Sequence, residues 1–586
     1  MVPPVSLRRR AVLAGAAGTV AATSGCIGEL QNIVGRQRAQ QLSLTIATLP
    51  ADDDPYAIGI ANALADHLEA SGVTTVVDPM APDALLREVL INKDFDIYVA
   101  RYPSDGTPEV LWELLHSRYT EEAGWQNPFG FSSPTVDDLL EAHRSADDGE
   151  RRDLLDELQE AVVREQPFTV VAFPDVITGH RTDRFSGWEN GIRDSISYLS
   201  LEGIDDAETL RVAVRDPRLT RNLNPIAAEY RNKGITTGLI YDPLARAVDG
   251  ELIPWLARRI EWDTSGELSA TIDLRSAVWH DGEPITPDDV VFTYRFLQDT
   301  SLGEFDSPVP TPFRRGASSL IESVHVEGES RVVLTFVSTT ETLARRALTV
   351  PVLPEHEWET RTDAADIAGI DIVGATTEAL VWPNLEPVGS GPFTFADATE
   401  AEELVLERFD DHFLLDGDFG GVPEPYASGL SFESLVFLVV PSWDAATQLL
   451  LTGEADALAG NVSSAVVPRL ARSNEASVVV NRSNAFYHVG YNCRRDPLTN
   501  FRFRQVLARL LDRSQLVAET FDNYATAGES PLEGTDWIAE SLEWDGEGEL
   551  SFLGEEGELD VEQTREEFSE AGFQYEDGQL IRRGDT

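Results

Sequence analysis

Residues 42–100 alternate between short apolar strands and amphipathic helices, and this alternation restricts the fold more than any other feature of the chain. Apolar residues recur at every second position in the strand segments and at every fourth position in the first helical segment. Strands connected by helices in this way form doubly wound sheets, so the sequence predicts an α/β fold. The predicted strands cover residues 42–46, 73–77 and 95–100, and the predicted helices run from Tyr56 to near Ser71 and over 84–91.

The chain is long enough to build more than one hydrophobic core. About 545 residues follow residue 41, and 42% of the whole chain is hydrophobic. We therefore expect two or three lobes. No run of about 18 apolar residues follows the first thirty positions, so the body itself is not expected to be embedded in a membrane.

The charge of the chain is strongly one-sided. Asp and Glu number 101 against 46 Lys and Arg, which gives a formal net charge of -55, and lysine occurs only at Lys93 and Lys233. Such self-repulsion is screened at molar salt, where the Debye length falls to about 3 Å. The composition therefore indicates a protein adapted to high salt. It also argues against a nucleic-acid partner, because phosphate binding needs a basic surface.

The first 26 residues have the parts of an export signal. A basic cluster that contains Arg9 and Arg10 precedes about twelve apolar residues, too few to cross a hydrocarbon layer of ~30 Å. Arg9 and Arg10 resemble the twin-arginine pattern, and residues 24–26 resemble the lipobox that ends in a lipid-bearing cysteine. We predict a cleaved signal at 1–26, a lipid anchor on Cys26 and a polar tether at 27–41. An N-terminal amphipathic or core helix with an incidental cysteine is the alternative.

The sequence contains little that predicts catalysis or metal binding. Residues 389–392 (GSGP) are interpreted as a tight turn, because no histidine and aspartate stand in a recognisable triad context. Residues 280–282 (HDG) show no further ligands at a suitable spacing and also predict a turn. With Cys26 assigned to lipid, Cys493 has no disulfide partner and is expected to be a small buried residue. We predict no catalytic residue, no metal and no cofactor.

A series of short motifs follows along residues 206–586. They are YDPLA at 241–245, PWLA at 254–257, LR at 274–275, VWHDG at 278–282, PDDVVF at 287–292, PEH at 354–356, VGSGPF at 388–393, GEAD at 453–456, GYN at 490–492, FRQVL at 503–507 and LDR at 511–513. This ordered set resembles the extracellular solute-binding proteins of family 5, the dipeptide and oligopeptide receptors of ABC importers. The resemblance implies a two-lobed periplasmic-binding-protein-like fold of type II, cluster C, with an extra subdomain.

The order of the segments departs from the usual order of that family. Residues 206–586 resemble the family from its customary beginning, and residues 42–188 resemble its C-terminal portion. The motifs in the second group are DFD at 94–96, NPFG at 127–130, SPTVD at 133–137, Gln159, QP at 166–167 and GW at 187–188. We interpret the chain as a circular permutant whose usual ends are joined through 189–208. Two fused unrelated domains, or a partial duplication, are the alternatives, but no second copy of 127–130 is found.

The resemblance also implies how the lobes are assembled. One lobe is expected from residues 42–175 together with 441–586. The other lobe is expected from residues 176–440, with the smaller subdomain at 246–375. The chain would cross between the lobes near 172–176 and 438–443, and these crossings would form the hinge on which such lobes close.

Four residues are candidates for ligand binding. Peptide receptors of this family hold the α-amino group of the ligand with a buried aspartate that follows an aromatic residue, and Asp105 with Tyr102 occupies that place. Tyrosine replaces the usual tryptophan, and the spacing to Pro108 is one residue short. A role for Asp105 in capping the turn before Gly106 is the alternative. Tyr491 and Asn492 resemble a segment that lines the cleft, although a packed strand end is an equally good interpretation.

The resemblance implies that the chain captures peptides, or a similar small solute, outside the cell. It would then deliver them to an ABC permease and its ATPase subunits, which supply the energy for uptake. We expect a haloarchaeal-like lipoprotein, monomeric and anchored by lipid at the outer face of the membrane, and not an enzyme. A ligand-sensing or adhesive surface lipoprotein of the same fold is one alternative, and a secreted hydrolase with paired carboxylates is another.

Overall fold

The computed structural model describes residues 40–582 with internal gaps. The gaps are residues 147, 189–190, 228–234, 249–250, 313, 366–375, 416–421, 424–425, 427–429 and 461. The predicted export signal, with Arg9, Arg10 and Cys26, lies outside the described residues. Over the described part of the chain, no helix is both long enough and apolar enough to cross a membrane.

The first large sheet takes its strands from both ends of the described chain. In spatial order, its strands are Ala525–Ala527, Phe168–Pro174, Phe486–Tyr491, Ile97–Tyr102, Ser43–Thr48 and Thr74–Pro79. The three strands nearest the N terminus are parallel to one another, and the other neighbours are antiparallel. The prediction that residues 42–46 share a sheet with the C-terminal part of the chain is confirmed.

Helices cover both faces of this sheet, as expected for a doubly wound unit. Along strand Ile97–Tyr102, Ile97 and Val99 face one core and Tyr98 and Ala100 face the other, because successive side chains of a strand point to opposite faces. Helix Pro55–Ala70 packs in the first of these cores. The predicted strand–helix alternation is therefore confirmed.

The second large sheet has seven strands, and a four-stranded sheet shares its core. The seven strands lie in the order Phe393–Thr399, Glu403–Arg408, Ser434–Val439, Thr209–Val214, Ala457–Leu458, Val176–Arg181 and Ala476–Asn481. The four strands lie in the order Ala257–Asp263, Ser269–Leu274, Arg331–Phe336 and Ile321–Val326. One core, built from residues between 185 and 459, joins the two sheets. The four-stranded sheet falls within the segment predicted as a subdomain.

The chain crosses between the two large sheets at two adjacent points. The first crossing is at Asp175, between Phe168–Pro174 and Val176–Arg181, where it was predicted. The second lies at residues 482–485, because Ala476–Asn481 pairs with Val176–Arg181 in the second sheet. Residues 441–481 therefore belong with the second sheet. The predicted lobe boundary at 441 and the predicted crossing at 438–443 are wrong. Arg482 and Asp175 form an ion pair of 3.1 Å that joins the two crossings.

The remaining elements are helices and short strand pairs. The other α-helices are Pro82–Leu86, Glu109–Leu115, Pro134–Ser145, Asp148–Glu165, Thr237–Ile240, Pro287–Gln298, Arg315–Ser318, Glu341–Ala344, Glu355–Trp358, Glu378–Val381, Trp443–Thr452, Val467–Leu470, Phe501–Ala508, Arg513–Glu519 and Val561–Glu570, with a π-helical turn at Arg87–Asn92. Short 3-10 helices are Ser117–Tyr119, Ile196–Ser200, Pro217–Thr220, Arg345–Thr349, Ser464–Val466 and Glu540–Leu542. The short strands are Gln40–Gln41, Gln574–Glu576 and Gln579–Arg582, and the pairs Phe185–Ser186 with Glu202–Gly203, Ala245–Val248 with Glu251–Pro254 and Gly554–Glu555 with Glu558–Leu559. The molecule is thus a two-lobed α/β protein.

Candidate ligand-binding site

Asp105 lies in the loop between strand Ile97–Tyr102 and helix Glu109–Leu115. Its Oδ1 accepts hydrogen bonds from the backbone amide and the hydroxyl of Thr107, at 3.1 and 2.8 Å, so Asp105 does stabilise the turn around Gly106. Its Oδ2 faces Arg346 Nη2 at 3.2 Å. One carboxylate therefore holds the local turn and also meets a cation.

Arg346 is distant from Asp105 in the sequence and lies beside the core of the second sheet. It lies in the 3-10 helix Arg345–Thr349, whose Ala347 and Leu348 belong to the core of the second sheet. Besides Asp105, its guanidinium contacts Glu113 Oε1 at 3.5 Å and the hydroxyl of Thr107. The Asp105 loop and the Arg346 helix thus meet where the two cores face each other.

The charge of Arg346 is fixed by its acidic neighbours. Burial lowers the pKa of Arg346, but the nearby carboxylates of Asp105, Glu113 and Glu109 raise it by a larger amount. The net shift of the pKa is therefore upward. The guanidinium therefore keeps its charge in this contact. The position in front of Asp105 is a cation position in this fold.

Asp105, Glu113 and Arg346 form a cluster, here called the Asp105 cluster, and Tyr102 contacts it through Glu113. It is buried, and its hydroxyl donates a hydrogen bond to Glu113 Oε2 at 3.3 Å. Burial raises its pKa well above 10.0, and the charges of Glu113 and Asp105 add to this, so Tyr102 remains a neutral donor. Its ring packs edge-on against Trp125, at 5.7 Å between centroids. Tyr102 and Asp105 are therefore linked through Glu113 and Arg346, and their role in ligand binding stays a prediction.

Glu109 is near the cluster, but it has a separate partner. Arg144 Nε donates to Glu109 Oε2 at 3.0 Å, and both side chains are buried. The Arg144 guanidinium also lies over the ring of Trp112, 3.5 Å from its centroid. This ion pair fixes the first turn of helix Glu109–Leu115, which carries Glu113 on its next turn.

A second contact between the same two parts of the molecule lies beside the first. Arg315 Nε and Nη2 donate to the two carboxylate oxygens of Glu122, at 3.0 and 3.1 Å. Gly316 packs so closely that an added Cβ would lie 1.8 Å from Glu113 Oε1. A side chain at position 316 would therefore collide with the cluster.

Tyr491 and Asn492 are not part of this cluster. The strand register pairs Phe486 with Tyr102 and Tyr491 with Ile97, which puts Tyr491 about 17 Å along the strand from Tyr102. Tyr491 is buried and its hydroxyl bonds Thr169 at 2.7 Å. Asn492 is buried and its amide donates to the carbonyls of Lys93 and Phe95, at 3.1 and 2.8 Å. These contacts are those of a packed strand end, and a role of Tyr491 and Asn492 in lining the cleft stays a prediction.

The predicted turn at residues 280–282 has neighbours that the spacing did not reveal. His356 Nε2 lies 2.9 Å from Asp281 Oδ2, and Glu357 brings a third potential donor atom within 4.8 Å of the other two. The Asp281 and His356 side chains are partly exposed, and the set lies apart from the Asp105 cluster. Cys493 is half-buried and free, with its Sγ 3.6 Å from the carbonyl of Tyr491.

Comparison with known proteins places the chain in a family. The sequence profile of the bacterial extracellular solute-binding proteins, family 5 (middle region), matches residues 251–585, more than half of the chain. The chain belongs to this family. Its members are extracellular solute-binding proteins, and the resemblance to this family that the motifs indicated is confirmed.

Relatives of this solute-binding protein match only part of their own length. The oligopeptide-binding protein AppA of Bacillus subtilis is 26% identical over 276 residues, 46% of this chain and 44% of AppA. The peptidoglycan-binding protein YepA of Agrobacterium fabrum is 29% identical over 246 residues, 41% of this chain and 32% of YepA. The chain thus spans less than half of the length of these curated relatives.

Two solved structures are similar to part of this chain. The structure of Bacillus subtilis AppA in complex with a nonapeptide is 19% identical, covers 64% of this chain and 67% of AppA, and gives a TM-score of 0.47. The structure of Campylobacter jejuni NikZ in complex with Ni(L-His) is 18% identical, covers 64% of this chain and 66% of NikZ, and gives a TM-score of 0.44.

Arg346 and Glu113 were missed by the sequence analysis. Glu113 follows Asp105 by eight residues and lies on the adjoining helix, so helical spacing could have included it. Arg346 is 241 positions away, and no local pattern reveals which acidic residues it faces. Only the packing of the two cores identifies it.

Proposed function

We propose that this solute-binding protein captures small solutes that carry a free amine, peptides foremost, between its two lobes. The observation that carries the proposal is the Asp105 carboxylate, which faces a guanidinium of the opposite lobe at 3.2 Å. A carboxylate that holds one cation, here on a side chain that is 42% exposed, can hold the ammonium of a ligand by the same charge-assisted hydrogen bonds. The names of the relatives, an oligopeptide-binding and a peptidoglycan-binding protein, support a peptide-containing ligand.

The capture step needs no chemistry on the ligand. Lobes that open and close on a hinge require only that the ligand stabilises the closed state by a few kcal/mol more than the open state. The paired crossings at Asp175 and at residues 482–485 are the proposed hinge. The closed monomeric complex then delivers its solute to an ABC permease, whose ATPase subunits drive import.

The location proposed for the protein comes from its first 26 residues. Arg9 and Arg10 direct export, and Cys26 carries the lipid that holds the protein at the outer face of the membrane. Residues 27–41 then tether the body. The net charge of -55 supports a medium of molar salt, where this charge is screened.

We also propose that the chain is a circular permutant of its family. Strands near the N terminus and strands beyond residue 485 occupy one sheet, which supports a lobe built from both parts. The lobes are then residues 42–175 with 486–582, and residues 176–481, with a subdomain at 246–375. The proposed junction of the customary ends falls in residues 189–208, and Ile192, Ile196 and Tyr198 of this segment belong to the second core.

The test of the proposed function measures peptide binding at molar KCl. The probes are an equimolar library of four-residue peptides with free amino termini and the same library after N-acetylation. Equilibrium dialysis followed by mass spectrometry gives the retained peptides. The wild-type protein should retain free-amine peptides and lose at least tenfold in affinity for the acetylated forms, because a hydrogen bond to a charged group contributes about 1.5–3 kcal/mol.

Asp105→Asn should weaken free-amine binding at least tenfold and leave the melting temperature near that of the wild type. Asp281→Asn, which alters another partly exposed aspartate with one ion-pair partner, is the matched control and should bind like the wild type. Retention of neither library by the wild type would refute peptide capture. Equal affinity of wild type and Asp105→Asn would remove Asp105 from the site.

A further inference from the structure

We propose that Arg346 is a built-in competitor for the cation of the ligand, so that a ligand amine binds Asp105 only by displacing this guanidinium. This inference rests on the proposed function, because it concerns what happens at Asp105 when a ligand arrives. In this structure the guanidinium occupies the place in front of Asp105. A ligand gains that place only if it brings a cation of its own.

The geometry of Arg346 is that of a shared contact. Its Nη2 lies between Asp105 Oδ2, at 3.2 Å, and Glu113 Oε1, at 3.5 Å. Both distances exceed the 2.7–2.9 Å or so that is typical of a charge-assisted hydrogen bond. A small ammonium with three donors can approach the Asp105 oxygen more closely. The existing contact is therefore one that a ligand amine can replace.

The neighbouring Arg315–Glu122 contact, between the same two parts of the molecule, is a two-point ion pair. Arg315 presents two nitrogens to the two oxygens of Glu122, at 3.0 and 3.1 Å. Such fork-to-fork pairing is the stronger arrangement for an arginine and a carboxylate. The two arginines join the same parts of the molecule, but only Arg346 contacts Asp105.

After displacement from Asp105, Arg346 can keep an ion pair with its second partner, Glu113. Glu113 is already within 3.5 Å of its Nη2, and Glu113 is held in place by the hydroxyl of Tyr102 at 3.3 Å. The guanidinium can leave Asp105 and keep Glu113 with a small rotation. The ligand amine then takes Asp105, and the contact between the lobes is preserved through the ligand.

A ligand with an uncharged end does not displace Arg346 from Asp105. An N-acetylated peptide offers no cation to Asp105, so it leaves the Arg346–Asp105 ion pair in place. The competitor therefore weakens the binding of amines and leaves the binding of acetylated peptides unchanged. Arg346 thus sets the affinity of the site for amines.

The test is the effect of Arg346→Gln on the same two tetrapeptide libraries, at fixed molar KCl. Removal of the competitor should raise the affinity for free-amine peptides about tenfold, the change expected when about 1.4 kcal/mol of opposing interaction is lost. Binding of the acetylated library should stay within threefold of the wild type. Arg346→Lys, which keeps a cation, should remain close to the wild type for both libraries.

Arg315→Gln is the matched control, because it removes an ion pair between the same parts of the molecule without touching Asp105. It should leave the preference for free amines unchanged. An equal gain in affinity in Arg346→Gln and Arg315→Gln would mean that loosening of the interface, rather than competition, explains the effect, and would overturn the proposal. Weaker or unchanged amine binding in Arg346→Gln would overturn it as well.

The outcomes separate this inference from the proposed function. If the wild type retains free-amine peptides but Arg346→Gln gains nothing, only the competition is wrong. If neither protein retains any peptide, peptide capture and the competition both fail. Binding by Arg346→Gln alone would support the competition and show that the wild-type affinity lies below the detection limit.

Discussion

The pKa values of two buried glutamates in this protein, Glu109 and Glu533, are shifted in opposite directions. Burial raises the pKa of Glu109, but the guanidinium of Arg144 and the nearby Arg346 more than offset this, and the net shift is downward. Glu533 is also buried, though less completely, and burial together with Glu543 and Glu529 raises its pKa to about 7. The difference lies in the neighbours, since only Glu109 has a cation within hydrogen-bond distance.

The raised pKa of Glu533 predicts a pH-dependent loss of stability. Between about pH 4.5 and about pH 7 the unfolded chain releases this proton while the folded protein keeps it. The free energy of unfolding should therefore fall as the pH rises through this range, by an amount on the order of 1–3 kcal/mol. Glu533→Gln should lack this fall, so its melting temperature should exceed that of the wild type increasingly from pH 4 to 7.5.

Thermal unfolding at constant high salt measures this effect. Glu547→Gln changes an exposed glutamate of the same region, and its melting temperature should follow the wild type at every pH. A constant difference between Glu533→Gln and the wild type from pH 4 to 7.5 would contradict the assignment.

Single residues also show what the sequence could reveal about the site. Tyr102 and Asp105 were found because they follow a predicted strand in a motif of the family. Their ion-pair partner Arg346 was not found, because the contact depends on how two separate cores pack. The motif that includes Tyr491 and Asn492 gives their order in the chain but not the end of the strand pair at which they lie, which is the end remote from Tyr102.

At the scale of elements, the antiparallel strands Ile97–Tyr102 and Phe486–Tyr491 form the centre of the first sheet. Gly490 faces Tyr98 across this pair, and an added Cβ would lie 2.3 Å from Cε1 of the Tyr98 ring. The glycine of the GYN motif is therefore explained by packing. Its missing side chain leaves room for a fully buried aromatic ring.

Gly490→Ala should destabilise the protein by about 1–3 kcal/mol, because the buried ring cannot move away without displacing its own neighbours. Chemical or thermal unfolding at molar salt measures the change. Gly266→Ala is the matched control, since nothing lies within 4 Å of an added Cβ there, and it should fall within about 0.5 kcal/mol of the wild type. Equal stability of Gly490→Ala and wild type would show that the sheet is looser than described.

Elements with strong local chemistry were predictable, and those defined by long-range pairing were not. Helix Pro287–Gln298 begins at a capping box that is readable in the sequence, with the amide of Thr286 donating to Asp289 Oδ2 at 2.8 Å. Strand Ala476–Asn481 was assigned to the wrong lobe, because an apolar strand does not indicate by its sequence which sheet it joins. The boundary at 441 was displaced by this strand and by Ala457–Leu458.

At the scale of the whole molecule, the fold class and the family were predictable, because many short motifs agree in type and order. The relation between the ends of the chain also has a structural counterpart. Strand Gln40–Gln41 pairs antiparallel with Gln579–Arg582, and Gln40 stands opposite Arg582. Two antiparallel strands in this register are joined naturally by a two-residue turn such as Asn-Gly.

This geometry allows a direct test of the central claim, that residues 42–175 and 486–582 build one lobe, which closes on a ligand against the other. The test protein is opened between Asp205 and Asp206, two exposed residues of a turn, and Arg582 is joined to Gln40 through Asn-Gly. The order of segments then becomes the customary order of the family.

The decisive measurement is the affinity of this reordered protein for the free-amine tetrapeptide library at molar KCl. The account predicts a folded protein whose affinity lies within threefold of the wild type, because no strand pair of either large sheet is cut. A reordered protein that fails to fold, or that folds with a native circular-dichroism spectrum but no longer binds, would contradict it.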